Sequence, residues 1–301
     1  MTVAPASTAD AAPAVVLPKP DDPRLRKPII LIGTERSGTT WLGCAFREHP
    51  DLAIMWEPRH IWSHGHYLKP HERLTADDAT PSGIRWIREQ FLKQVIAQGR
   101  QRISEKTPIN TLRVPYVHAA FPDAKFLFLV RDGRSVVRST AEIAASGVRK
   151  GSIIKRMKHV PLLDWPFYVP RYVDAMRQKF LGGELGHFGA RPPGWKQWVA
   201  EGDRDVTTAK VWSTSVNTAR ADLANIDHLF FRYEDLVRDP ATTRKQIYDF
   251  CELAPSAEMD AVLDTAKPDR VDAWRNELDD DTLARIKPHL IGTLNSFGYE
   301  W

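Results

Sequence analysis

Short apolar runs alternate with stretches whose apolar residues recur at helical spacing. Residues 28–32 (PIILI) read as a short buried strand and residues 41–46 as the first turns of a helix, with a glycine-bearing loop between them. Residues 51–56 form a second candidate strand, stopped by Pro58. The polar residues 69–82 read as a loop. From 84 to 99, Ile84, Ile87, Phe91, Leu92, Val95 and Ile96 share one helical face. A short strand at 101–104 and a short helix at 110–120 follow. Residues 125–130 (KFLFLV) are the clearest buried parallel strand and lead to a helix carrying Val136, Val137, Ser139 and Ile143. After an irregular stretch at 146–194 come helices opening at Trp195 and spanning 213–225, a late strand at 228–233, and closing helices at 240–253 and 281–295. Strands alternating with helices predict an α/β fold: a P-loop-like, three-layer arrangement with a central, mostly parallel β-sheet flanked by helices. The Ala- and Pro-rich residues 1–28 are expected to be a disordered tail, residues 29–301 one domain, and 146–194 an insert within it.

Composition narrows the class. The chain has 301 residues, 43% of them hydrophobic, enough for a sizeable core. Lysines and arginines (42) exceed acidic residues (38) by 4, a mild basic excess that suits an anionic ligand and does not argue for nucleic acid. Only Cys44 and Cys251 are present, which gives neither a disulfide framework nor a metal cluster and fits a reducing compartment. No run approaches the ~18–20 apolar residues of a membrane span. The tail lacks a basic segment followed by an apolar one, so no signal peptide is expected and the cytoplasm is the expected location.

The loop after the first strand carries the sharpest chemistry. Its sequence is Gly33-Thr34-Glu35-Arg36-Ser37-Gly38-Thr39-Thr40. Strand, glycine loop and helix make a phosphate cradle, because glycines let backbone N–H groups turn inward and a helix start adds partial positive charge. The spacing is that of a P-loop, G-x-x-x-x-G-K-[ST], with Thr39 where the lysine belongs. Without that lysine a triphosphate is poorly served, and hydroxyls with one arginine, Arg36, suit a smaller anion.

Other candidates sit at strand ends, where ligands of open α/β sheets bind. Glu57 has the position of a general base, or of a loop carboxylate paired with Arg59. Lys106 is placed either to stabilise charge on a leaving oxygen or simply to be solvated. Arg131 ends the 125–130 strand and Ser139 lies two turns along the next helix, so both can reach an anion; a helix cap at Asp132 with surface arginines is the plain alternative. His60, His64, His66 and His71 are closely spaced but form no recognisable metal pattern, and His60 is a minor acid/base candidate. The insert combines a basic run, Arg149 to Lys158, with Trp165, Phe167, Tyr168 and Tyr172, and reads as a solvated helix with a packed loop or as a lid over an acceptor.

Taken together, these strings resemble the sulfotransferases that use 3′-phosphoadenosine 5′-phosphosulfate (PAPS), most closely the tyrosylprotein and Golgi-carbohydrate branch. The resemblance runs from about residue 29 to 274. Arg36-Ser37-Gly38-Thr39-Thr40 is similar to that family's 5′-phosphosulfate loop. Glu57 stands where the tyrosylprotein branch carries its catalytic base, and Lys106, in Glu-Lys-Thr-Pro, matches the catalytic lysine. Arg131 and Ser139 match the grip on the 3′-phosphate, Tyr233 a residue near the nucleotide, and Lys267 and Arg270 the C-terminal cofactor loop. Two departures stand out: Ile143 replaces a further arginine, and no counterpart of the Golgi enzymes' membrane anchor is expected in these residues.

The resemblance implies transfer of a sulfuryl group from PAPS to a hydroxyl by in-line displacement, with Glu57 as base, Lys106 at the leaving group, and no metal. The acceptor is a phenol, a saccharide, a lipid headgroup or a peptide tyrosine. No nucleic-acid partner and no membrane span are expected. A P-loop kinase or NTPase of atypical loop sequence, and a non-catalytic protein that binds 3′-phosphoadenosine 5′-phosphate (PAP), are the alternatives. Magnesium-dependent ATP turnover marks the first, and nucleotide binding without transfer marks the second.

Overall fold

The computed structural model describes residues 22–146 and 189–301. Most of the expected tail and most of the proposed lid lie outside these residues. Residues 22–28, assigned above to the tail, are packed: Asp22 caps a 3-10 turn at Pro23–Leu25, and Leu25 is buried.

Five strands form one sheet: β1 (Ile29–Ile32), β2 (Leu52–Trp56), β3 (Arg102–Lys106), β4 (Lys125–Val130) and β5 (His228–Arg232). Their order is β2-β3-β1-β4-β5, and every pairing is parallel. Parallel neighbours need crossovers, and helices supply them. Between strands lie α1 (Thr39–Glu48), α2 (Pro81–Ala97), α3 (Val114–Ala120), α4 (Gly133–Ser146) and α5 (Arg204–Leu223), and after β5 come α6 (Tyr233–Arg238), α7 (Pro240–Cys251), α8 (Ala257–Leu263) and α9 (Asp280–Ser296).

The period of two along each strand sorts the core into two layers. Ile30, Ile32, Phe126 and Phe128 face one way, against Ile87 and Phe91 of α2, Trp212 of α5 and Leu290 of α9. Ile29, Leu31, Leu127 and Leu129 face the other way, against Leu42 and Phe46 of α1, Ile247 of α7 and Leu263 of α8. This is the three-layer α/β arrangement that the alternation predicted. Among the described residues no helix is long and apolar enough to cross a membrane.

Four local expectations need correction. The 101–104 strand runs on through Glu105 and Lys106. The single helix at 110–120 is a 3-10 turn at Pro108–Leu112 followed by α3, because prolines near both starts break the run and leave Arg113 as a non-helical joint. Tyr233 opens α6 and does not end β5. Helix α5 begins at Arg204, where the Asp203 carboxylate accepts from Asp205 and Val206 N–H groups. All five strands point their C-terminal ends at one edge, so residues 33–40, 57, 106, 131 and 233 gather there.

Candidate active site

The loop between β1 and α1 is shaped by close approach. A Cβ at Gly33 would lie 2.6 Å from the Leu129 carbonyl oxygen. Gly38 has φ 90°, and a Cβ there would lie 2.5 Å from the Tyr233 ring. Arg36 takes φ 66° between them, in the left-handed region. The Thr34 and Ser37 hydroxyls lie 2.6 Å apart, and Ser37 N–H donates to the Thr34 carbonyl at 3.3 Å. Helix α1 starts at Thr39 with Gly38 as its cap, so no side chain caps its first turn. Thr39 is buried under Gly33 and Thr40 is exposed. The loop read as a cradle at Arg36, Ser37, Gly38, Thr39 and Thr40 is therefore shaped by two close-packed glycines, a left-handed Arg36 and the paired hydroxyls of Thr34 and Ser37.

One side of the cradle is cationic. Arg131, at the end of β4, is 7% exposed; it donates to the Arg36 carbonyl at 3.1 Å and the Arg270 carbonyl at 2.9 Å. Its guanidinium lies 4.4 Å from the Tyr233 ring centroid, and its Nε has no hydrogen-bond partner. The Arg36 Nε donates to Ser139 Oγ at 3.0 Å. Desolvation, and for Arg36 also the neighbouring Arg131, lower the proton affinity of both guanidiniums. Two crowded arginines with an orphaned buried donor suit a bound anion.

The other side holds the base and lysine candidates. Glu57 follows β2 with φ 45°, and its N–H donates to the Lys106 carbonyl at 2.9 Å. The Lys106 ammonium donates to Glu57 Oε1 at 2.7 Å, and Arg59 lies 3.3 Å from Glu57 Oε2. Glu57 is thus paired with Arg59, as one of its two readings has it, and with Lys106 as well. Arg59 also approaches Glu35 at 3.8 Å, whose carboxyl burial pushes upward. His60 is half-buried on the four-residue helix Arg59–Trp62, with its carbonyl accepting from Tyr67.

Lys267 and Arg270 are less closely tied. Both side chains are exposed; Arg270 reaches Arg131 through its backbone carbonyl and points its guanidinium 3.9 Å from Glu142. His64 stacks on Trp86, and among the described residues no group of three or more His, Cys, Asp or Glu is arranged to hold a metal.

Three residues escaped the sequence reading. Glu234 accepts from Asp132 N–H at 3.1 Å and from Tyr299 O–H at 2.7 Å, locking the turn after Arg131; its place in Arg-Tyr-Glu-Asp was the signal. Trp41 stands edge-on to Tyr233 with centroids 6.0 Å apart, its N–H on the Val262 carbonyl. Glu105, the neighbour of Lys106, is fully buried on the opposite face of the sheet.

A profile described as "Sulfotransferase family" matches residues 28–185. Among curated proteins, the chain is 36% identical over 123 residues to the protein-tyrosine sulfotransferase of Drosophila melanogaster, covering 37% of this chain and 25% of that protein. It is 32% identical over 125 residues to protein-tyrosine sulfotransferase 1 of Homo sapiens, covering 37% and 33%. The match spans between a quarter and a third of those relatives. Among solved structures, the sulfotransferase domain from the curacin biosynthetic pathway superposes with a TM-score of 0.53 at 15% identity, covering 92% of this chain and 99% of that one. The sulfotransferase domain from the Synechococcus PCC 7002 olefin synthase gives 0.51 at 17%, covering 95% and 99%. At such identities the likeness is one of fold.

Proposed function

The chain belongs to the sulfotransferase family, and from that premise we propose that it transfers the sulfuryl group of PAPS to an acceptor hydroxyl. The observation that carries this reading is the 2.7 Å contact between Lys106 and Glu57 at the strand edge that also holds the glycine cradle. In-line transfer between two oxygens needs a base at the attacking one and a cation at the leaving one, and this contact brings a candidate for each to the same strand edge.

In this reading the backbone N–H groups of residues 33–40 and the first turn of α1 hold the phosphosulfate, in place of the lysine-and-magnesium arrangement that Thr39 lacks. Arg131 and Ser139 hold the 3′-phosphate. Arg36, already on Ser139, supplies a cation near the place where Ile143 has none. The Arg131 Nε is a free donor for that anion. Trp41 and Tyr233 flank the nucleotide.

Glu57 receives the acceptor proton as the acceptor oxygen bonds to sulfur. The bond between sulfur and the phosphate oxygen breaks with its electron pair on that oxygen, and Lys106 neutralises the charge there. Positioning and charge stabilisation carry most of the rate. The relatives' names put a tyrosine phenol first among acceptors to try. The direct test is labelled PAPS with tyrosine peptides, then with cell extract, and mass spectrometry of the product. Binding of PAP with no label transferred in either assay, or magnesium-dependent ATP turnover in its place, would sink the reading.

A further inference from the structure

Glu105 has no part in the transfer scheme. A buried carboxylate is costly unless hydrogen-bonded, and this one is 1% exposed. Its oxygens take three hydrogen bonds from two segments. The Trp62 indole N–H donates to Oε1 at 3.1 Å, the Thr107 hydroxyl donates to the same oxygen, and the Asn110 amide donates to Oε2 at 2.8 Å.

Those donors flank the two candidate reacting groups. Trp62 ends the short helix that starts two residues after Glu57. Thr107 and Asn110 lie in the turn that leaves Lys106. Trp62 cannot drift, because it is fully buried against Phe91, Tyr116 and Phe121 with ring centroids 5.1, 6.5 and 6.3 Å away. Glu57 needs such support. Its φ of 45° is a conformation that non-glycine residues hold only when their surroundings over-determine it.

We propose that Glu105 is a positioning residue for sulfuryl transfer: its buried carboxylate clamps the segment bearing Glu57 to the segment bearing Lys106 and so sets the two reacting groups against each other. The proposal rests on the roles given to Glu57 and Lys106 above. The charged groups that act on Glu105 are Arg113, fully buried after the 3-10 turn, and Lys106, its neighbour on the strand although turned to the other face. Both favour the carboxylate, which accepts all three bonds. A protonated carboxyl presents an O–H where a donor already sits and gives one bond up.

Glu105→Gln keeps the shape and replaces one acceptor oxygen with a donor. Trp62→Phe removes one donor and keeps an aromatic ring, smaller than the indole. In the full chain, calorimetry should find PAP affinity for both variants within about twofold of wild type, because the nucleotide cradle is elsewhere. Hydrogen exchange at the Glu57 amide should quicken. PAPS turnover, read as PAP released with 4-nitrophenol as the acceptor probe, should fall about 10–100-fold in kcat for Glu105→Gln, with KM for PAPS held. Trp62→Phe should lose less and carries the test alone if Glu105→Gln does not fold. Wild-type exchange and kcat in a folded variant overturn the proposal, and so does faster exchange with unchanged kcat, which leaves a merely structural clamp. A wild-type chain that neither binds PAP nor turns over PAPS sinks the transfer reading instead; the exchange result then stands separately for or against the clamp.

Discussion

Lys106 and Glu57 meet at 2.7 Å with the lysine side chain 4% exposed and the glutamate 25%. The asymmetry matters. A near-buried ammonium needs the carboxylate as its partner, while the carboxylate is the more exposed of the two.

Replacing that carboxylate separates catalysis from nucleotide binding. Glu57→Gln should lower kcat by about 10²–10⁴, the usual contribution of a positioned base, and leave PAP affinity nearly unchanged. Steady-state turnover beside calorimetric titration with PAP reads both. Wild-type turnover in this variant would remove Glu57 as base and turn attention to His60 on the next helix.

The 3′ site makes a comparative prediction. Arg131, given to the 3′-phosphate in the proposed scheme, sits among Arg36, Arg270 and Tyr233. Arg131→Ala should weaken PAP by about 1–3 kcal/mol through the loss of a charge-assisted contact. Adenosine 5′-phosphosulfate, which has no 3′-phosphate, should weaken far less. Equal losses for the two ligands would mean that Arg131 acts on the loop and not on the 3′-phosphate.

The existence of the five strands and of the glycine loop between the first strand and its helix was legible in the sequence, because apolar runs, glycines and prolines are local signals. The Glu57–Lys106 contact is not local. Its partners are 49 positions apart and meet only because β2 and β3 pair with Trp56 opposite Lys106. Ending β3 at 104 hid Glu105 as well: read as loop residues, Glu105 and Lys106 have no fixed faces, whereas in a strand they point to opposite layers. Arg270 shows another limit, since a sequence names side chains and this residue meets Arg131 through its carbonyl.

Gly38 tests the cradle. With φ 90° and the Tyr233 ring where a Cβ would sit, Gly38→Ala must shift either the loop or the tyrosine. Crowding of this kind costs about 1–3 kcal/mol, so both the melting temperature and PAP affinity should drop. A variant that melts and binds like wild type would show that the loop does not need this approach.

Glu105 couples stability to pH in the direction opposite to its effect on turnover. Burial is the leading cause that raises its carboxyl from the ordinary 4.5 to about 7. The folded protein then holds this proton more tightly than the unfolded chain does. The stability it contributes is full below the unfolded value and is lost as pH rises through the folded value, by up to a few kcal/mol. Glu35 and Glu234 are also raised by burial, so the raw profile of the wild type mixes several groups. Subtracting the Glu105→Gln profile isolates one. Urea unfolding from about pH 5 to pH 8 should show wild type losing ground to the variant up to about pH 7 and the gap levelling above it. Over the same interval kcat of the wild type should rise as the carboxylate gains its third hydrogen bond. Parallel stability curves would mean that Glu105 keeps one protonation state throughout, and the rise in kcat would then belong to another group.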